Sequence, residues 1–176
     1  KNLKTKETKR LTNNNYEDRD PAWSPDGKKI AYTHKEKDNS DIYVINLENN
    51  SKKNLTDSPS YSDSSPAWSP DGEKIAFSSY KDNLSESNIY TINAETGSYF
   101  SIEKIASGAY NNNPSWSPDG EKIAYCSDKD GMWNIWTVDM GSSNYIYKNV
   151  SGDGRAIGNV GIEPSWSPGG NKIIYV

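Results

Sequence analysis

The chain has 176 residues, of which only 32% are hydrophobic, with a net charge of −4 and a single cysteine. A disulfide framework and a cysteine-rich metal cluster are excluded, and so is a membrane-spanning helix, since no run approaches the ~18 consecutive apolar residues it needs. A nucleic-acid surface is not expected either: charges of both signs are interspersed, and the one basic run, Lys1–Arg10, reads as a solvated outer segment.

Along the chain, Asn2-Leu3 and Lys9–Thr12 match Asn46-Leu47 and Lys53–Thr56 at a constant offset of 44, so the N-terminal segment reads as the tail of one strand followed by another. Pro21–Gly27 then reads PAWSPDG. Proline at the start of a strand needs no ladder hydrogen bond, and Pro25-Asp26-Gly27 carries the chemistry of a bulged three-residue hairpin loop. Alternating segments follow at Lys28–Thr33, Asp41–Leu47 and Lys52–Thr56. The same order recurs from Pro66, with strands at Pro66–Ser69, Glu73–Ser79, Asn88–Ile92 and Ser98–Ile105. It recurs again from Pro114, with strands at Lys122–Ser127, Asn134–Val138 and Asn144–Val150. A fourth copy, PSWSPGG at Pro164–Gly170, leads into Lys172–Val176. No stretch has sustained helical periodicity, so little or no helix is expected.

The phrase therefore occurs four times, with Trp23, Trp68, Trp116 and Trp166 spaced by 45, 48 and 50 residues. Repetition at this period signals a radial or stacked array. Four strands per repeat make one propeller blade, A to D from the channel outward. The expected fold is all-β: one β-propeller domain over 1–176, with repeats at approximately 2–45, 46–92, 93–138 and 139–176. Counting gives a D strand, three ABCD sets, then A and B. The fourth blade is incomplete, its strand C missing, so the chain either closes imperfectly, pairs with a second copy or is a fragment of a larger propeller. Six Trp and 12 Tyr supply the buried area that a polar chain otherwise lacks, and the four repeated Trp read as core between blades.

Chemistry is sparse. No G-x-S-x-G nucleophile elbow is present, and the lone His34, at a strand end, is a poor candidate for a catalytic base. Asp26, Asp71 and Asp119 recur in a tight turn and read as turn caps rather than metal ligands. No catalytic, metal or cofactor site is expected. The candidates are the segments entering each A strand, where propellers meet partners: Tyr16, Asp18 and Arg19; Tyr61 and Asp63; Tyr110 and Asn112; Glu163. Three copies carry a Tyr six or seven residues before the Trp. Arg19, Asp63, Asn112 and Glu163 differ between repeats, which leaves them free to serve a partner.

The pattern P-x-W-S-P-D-G-x-x-I-A-[YF], then [DN]-I-Y-x-[VI], then K-x-L-T, resembles the TolB-type propeller repeat. Members of that family include a six-bladed periplasmic propeller, cell-surface proteins, the propeller domains of prolyl-oligopeptidase-like peptidases and oligogalacturonate lyases. The resemblance implies a periplasmic or cell-surface location. It also implies a non-catalytic binding or scaffold module that presents its loop face to a protein, peptide or glycan, with self-association through the incomplete blade as a further option. The rival is the accessory, substrate-gating propeller of a hydrolase.

Overall fold

A computed structural model describes residues 1–81, 86–97, 103–141, 145–151 and 162–175. Residues 98–102 and 144 of the expected D strands and Val176 of the last B strand lie outside them. The described residues contain fourteen strands and no helix. Blade 1 is β1 (Glu17–Trp23), β2 (Lys29–Glu36), β3 (Asn39–Asn46) and β4 (Lys52–Asn54). Blade 2 is β5 (Tyr61–Trp68), β6 (Lys74–Lys81), β7 (Ser87–Asn93) and β8 (Glu103–Ala106). Blade 3 is β9 (Asn111–Trp116), β10 (Lys122–Ser127), β11 (Asn134–Asp139) and β12 (Tyr147–Asn149). Repeat four contributes β13 (Ser165–Trp166) and β14 (Ile173–Ile174). Within each sheet the strands pair antiparallel in chain order, as four-stranded meanders and one final hairpin.

The A–B turn explains why the phrase is repeated. Ser24 Oγ donates to Asp26 Oδ1 (2.6 Å) and accepts from the Lys29 amide (2.8 Å), while the Lys28 amide donates to Asp26 Oδ1 (3.0 Å). Gly27 closes the turn at φ 70°. The same bonds recur around Ser69 and Asp71 and around Ser117 and Asp119. These bonds hold the three carboxyls below their ordinary range, the serine hydroxyl being the largest cause. In repeat four Gly169 lacks the carboxylate, and Asn171 Oδ1 takes the Ser167 hydroxyl instead (3.2 Å).

The core lies between blades. The front of blade 2 (Trp68, Ile75, Phe77, Ile92) packs on the rear of blade 1 (Ala31, Ile42, Val44, Leu55). Blade 3 packs on blade 2 through Ile123, Tyr125 and Val138 against Ala76, Ile89 and Ile105. The buried Cys126 belongs to the next junction, with Trp166 and Ile173, and burial pushes its thiol up to about 12. Each turn also rests on its predecessor: a Cβ at Gly72 would meet Pro25 at 3.7 Å, one at Gly120 would meet Pro70 at 3.2 Å, and one at Gly170 would meet Pro118 at 3.7 Å.

Two expectations need correction. Trp68 is 9% exposed and its indole N–H donates to Ala22 O (3.2 Å), but Trp23 is 62% exposed and is not blade-to-blade core. The reason is positional: each Trp buries itself on the preceding blade, and among the described residues none stands before blade 1. The N-terminal segment, expected as a D strand, forms no ladder. It nevertheless docks like one. Leu11 packs on Ile30, Tyr32 and Ile45, as Leu55 packs on Ile75, Phe77 and Ile92. Lys9 Nζ reaches the 46–50 turn at Asn50 Oδ1 (2.9 Å), as Lys53 Nζ reaches the 93–97 turn at Glu95 O and Thr96 O.

Candidate functional site

In repeats one to three the segments expected as loops entering the A strands are largely the first halves of the strands themselves, whereas Glu163 of repeat four precedes β13. A bulge in the middle makes this compatible with proline. Register with the B strand slips between Arg19 and Ala22 and between Ser64 and Ala67, and the β9–β10 pairing slips likewise. The residue before the proline takes a left-handed conformation each time: Asp20 (φ 52°), Ser65 (φ 55°) and Asn113 (φ 54°). Such a conformation costs about 1–3 kcal/mol per residue and persists only where its surroundings enforce it.

Those surroundings are hydroxyls on the neighbouring B strand. The Ser65 amide donates to Thr33 Oγ1 (3.2 Å), and the Asn113 amide donates to Ser78 Oγ (3.1 Å). Thr33 Oγ1 in turn donates to Asp20 Oδ2 (2.9 Å). Ser65 Oγ donates to Asn113 Oδ1 (3.0 Å), and Asn113 Nδ2 donates to Ile162 O (2.9 Å). A chain of hydrogen bonds thus runs from repeat one to repeat four along the inner strands.

The bulge residues line an open cleft of about 490 Å³ together with Glu163 and the prolines Pro21, Pro66, Pro114 and Pro164. Its chemistry is one-sided. The prolines have no N–H, the amides of Ser65 and Asn113 are spent on hydroxyls, and the Ser65 hydroxyl and one Asn113 amide hydrogen are spent within the chain. The charged side chains that line the cleft are acceptors, the Asp20 and Glu163 carboxylates, beside the neutral hydroxyls of Ser115 and Ser165. Arg19 Nε stands 3.6 Å from Asp20.

Of the eight residues singled out by sequence, Glu163 lines this cleft. Asp18 and Arg19 border a smaller, mainly apolar cavity of about 160 Å³ at the front of blade 1, with Leu11, Ile30 and Tyr32. Arg19 lies between Glu17 (3.8 Å) and Asp20. Tyr16 is exposed, donates to Glu36 Oε1 (2.9 Å) and sets its ring edge-on to His34. Tyr61 is half-buried on β5. Tyr110 is half-buried with its ring 6.3 Å from Trp133, and Asn112 Oδ1 accepts from Ser87 Oγ (3.1 Å). Asp20, Ser65 and Asn113 escaped the sequence reading. The signal for them was present: the one position beside an invariant proline that changes in every repeat.

Asp63 is buried at 2% exposure, and its Oδ1 has no hydrogen-bond partner among the described residues. Burial raises its pKa to about 6, against the hydroxyls of Ser79 and Thr56, which lower it, while the Asp41 charge adds to the rise. Its counterpart in blade 1 is Asp18, paired in register with His34 as Asp63 is with Ser79. There the longer imidazole closes the gap: His34 Nδ1 lies 2.6 Å from Asp18 Oδ1, and Asn14 Nδ2 donates to Oδ2 (3.0 Å). Burial works to raise the Asp18 pKa, but hydrogen bonds from His34, Thr12 and Asn14 outweigh it and hold the carboxyl below its ordinary value. His34 thus serves to fasten β1. Among the described residues no group of three or more His, Cys, Asp or Glu side chains is placed to hold a metal ion.

The family model described as TolB beta propeller domain matches residues 1–176. No curated protein sequence matches the chain. Among solved structures, the chain is similar to TolB from Acinetobacter baumannii (TM-score 0.79, 24% identity, covering 98% of this chain and 41% of that one). It is similar to a putative TolB from Agrobacterium tumefaciens (TM-score 0.72, 24% identity, 89% and 52% covered). It is also similar to the β-propeller domain of the Trilobed protease from Pyrococcus furiosus (TM-score 0.59, 26% identity, 77% and 43% covered). The chain spans about half or less of each of these proteins.

Proposed function

The chain belongs to the TolB β-propeller family, and on that premise we propose that it is a non-catalytic binding module whose channel-mouth cleft receives a donor-rich, cationic segment of a protein partner. One observation carries the reading: the charged side chains lining the cleft are two carboxylates, Asp20 and Glu163. A lysine or arginine side chain, or an amino terminus, complements such a surface. Carboxylates at the mouth also steer such a segment at a rate that falls with salt. A periplasmic or cell-surface location follows from family membership as part of the same proposal.

The test uses extended peptides of equal length that differ only in charge, measured by fluorescence anisotropy. Basic peptides bind, acidic ones do not, and Asp20→Asn with Glu163→Gln weakens binding about tenfold or more. Equal binding of both classes, or indifference to the double variant, sinks the reading. Binding of a neutral oligosaccharide alone would replace it with a glycan module. A second reading, the substrate-gating propeller of a hydrolase, is favoured by the likeness to a protease's propeller domain. It predicts that basic peptides bind only weakly and are passed to a catalytic partner.

A further inference from the structure

Two of the bulge residues that line the cleft are held from outside it, by side chains one blade back. Thr33 and Ser78 occupy the same place, the fifth residue of β2 and of β6. Both are buried, at 0% and 3% exposure, and neither lines the cleft. Each reaches across a junction between two four-stranded blades: Thr33 Oγ1 accepts from the Ser65 amide (3.2 Å) and Ser78 Oγ from the Asn113 amide (3.1 Å).

Packing alone does not call for a hydroxyl there. Two residues earlier on the same rear faces, Ala31 and Ala76 are fully buried. In blade 3 the place belongs to Cys126, among apolar neighbours. A thiol is a weak acceptor, and Glu163, before the next proline, does not take the left-handed conformation of Ser65 and Asn113.

Thr33 has a second bond. The Ser65 amide uses its oxygen as acceptor, and its one hydrogen goes to Asp20 Oδ2 (2.9 Å). Arg19 Nε stands 3.6 Å from that same oxygen. The Asp20 carboxylate is therefore held by a neutral hydroxyl, which leaves its charge unspent, with an internal cation close by.

Resting on the reading of this cleft as the site of a basic segment, we propose that Thr33 and Ser78 are its positioning residues. Thr33 is the more consequential, because it keeps the Asp20 carboxylate turned to the ligand and away from Arg19. Without its hydroxyl, Asp20 closes on Arg19 and Ser65 is released from blade 1. Without that of Ser78, only Asn113 is released and both carboxylates stay in place.

Fluorescence anisotropy with basic peptides tests this on the whole chain, with folding followed by circular dichroism. Thr33→Val keeps the shape of the side chain and weakens binding about tenfold, while Thr33→Ser restores the hydroxyl and recovers most of the loss. Ser78→Ala weakens binding about threefold, and Ser78→Thr recovers it. Arg19→Gln separates positioning from packing: it strengthens binding more in the Thr33→Val background than in the wild type, since only there has the arginine captured the carboxylate. Thr33→Val binding like the wild type, Thr33→Ser losing as much as Thr33→Val, or an equal gain from Arg19→Gln in both backgrounds overturns the proposal. If Thr33→Val does not fold, the Ser78→Ala and Ser78→Thr pair decides in the same way. A wild type that ignores basic peptides instead overturns the reading of the cleft, and this proposal with it.

Discussion

The fronts of blades 1 and 2 are built from the same residues and meet opposite fates. Trp68 is sealed under blade 1 and bonded to its carbonyl, while Trp23 stands 62% exposed. Pro66 is buried and Pro21 exposed. Asp63 is buried with an oxygen left over, and Asp18 is clasped by His34. One repeat thus carries every group needed for docking, whether or not a neighbour is present. The difference shows that burial here comes from the junction and not from the strand.

The strongest test of that difference is paired truncation of the tryptophans. Trp68→Ala removes a buried indole and its hydrogen bond, and destabilises by about 3–5 kcal/mol in denaturant unfolding. Trp23→Ala, in the monomer, stays within about 0.5 kcal/mol. Equal losses would mean that the front of blade 1 is covered after all.

The second test inverts the sign. Asp63 titrates near 6 when folded and near its ordinary 3.8 when unfolded. Stability from this group is therefore whole below the unfolded value and is lost as pH rises through about 6. Asp63→Asn abolishes the loss, raising stability at pH 8 by up to about 3 kcal/mol and leaving it unchanged near pH 3. Asn111 already occupies the equivalent place in blade 3, its Nδ2 donating to Ser87 O and Ala109 O. A pH-independent effect would show that Asp63 is not buried as an acid.

A smaller effect falls on the turn that receives the preceding D segment. Asn50 and Gly97 hold equivalent left-handed positions, at φ 58° and 51°. A Cβ at Gly97 would lie 2.6 Å from Leu55 Cδ2 and 3.4 Å from its Cα. Gly97→Ala forces the buried leucine aside and destabilises by about 1–2 kcal/mol in thermal unfolding. Had Leu55 room to move, the loss would shrink to backbone strain alone.

The repeat, its turns and its B and C strands were legible because their signals are local. Ser24, Asp26 and Gly27 satisfy one another within six residues, and Ile42 and Val44 alternate with Tyr43 and Ile45 in plain sight. The bulge was not legible. One inserted residue shifts the alternation before each proline, so Asp20, Ser65 and Asn113 turn to the cleft while the residues chosen beside them, Asp63 above all, turn inward. Nor does a periodic sequence distinguish Trp23 from Trp68. Periodicity is the same at every copy, and the docking partner belongs to the fold as a whole.

The least of the expected effects is the most discriminating. Asp18→Asn keeps the shape of the side chain but gives up a charge held by His34, Thr12 and Asn14. Its folded pKa is depressed, so its contribution is present above the unfolded value and disappears as pH falls through the folded one. The variant should be slightly less stable than the wild type at pH 7, by under about 1 kcal/mol given its partial exposure to solvent, and equal to it near pH 2. Set beside Asp63→Asn, the same substitution at the same register position then has opposite sign in adjacent blades: a loss at neutral pH where histidine faces the acid, a gain where serine does. The neutral hydroxyl of Ser79 only partly offsets the burial of Asp63, and the preceding blade shuts out the water that would otherwise add to it. If both variants shifted stability in the same direction at pH 7, the contrast between an open and a closed front face would not be what separates these two carboxyls.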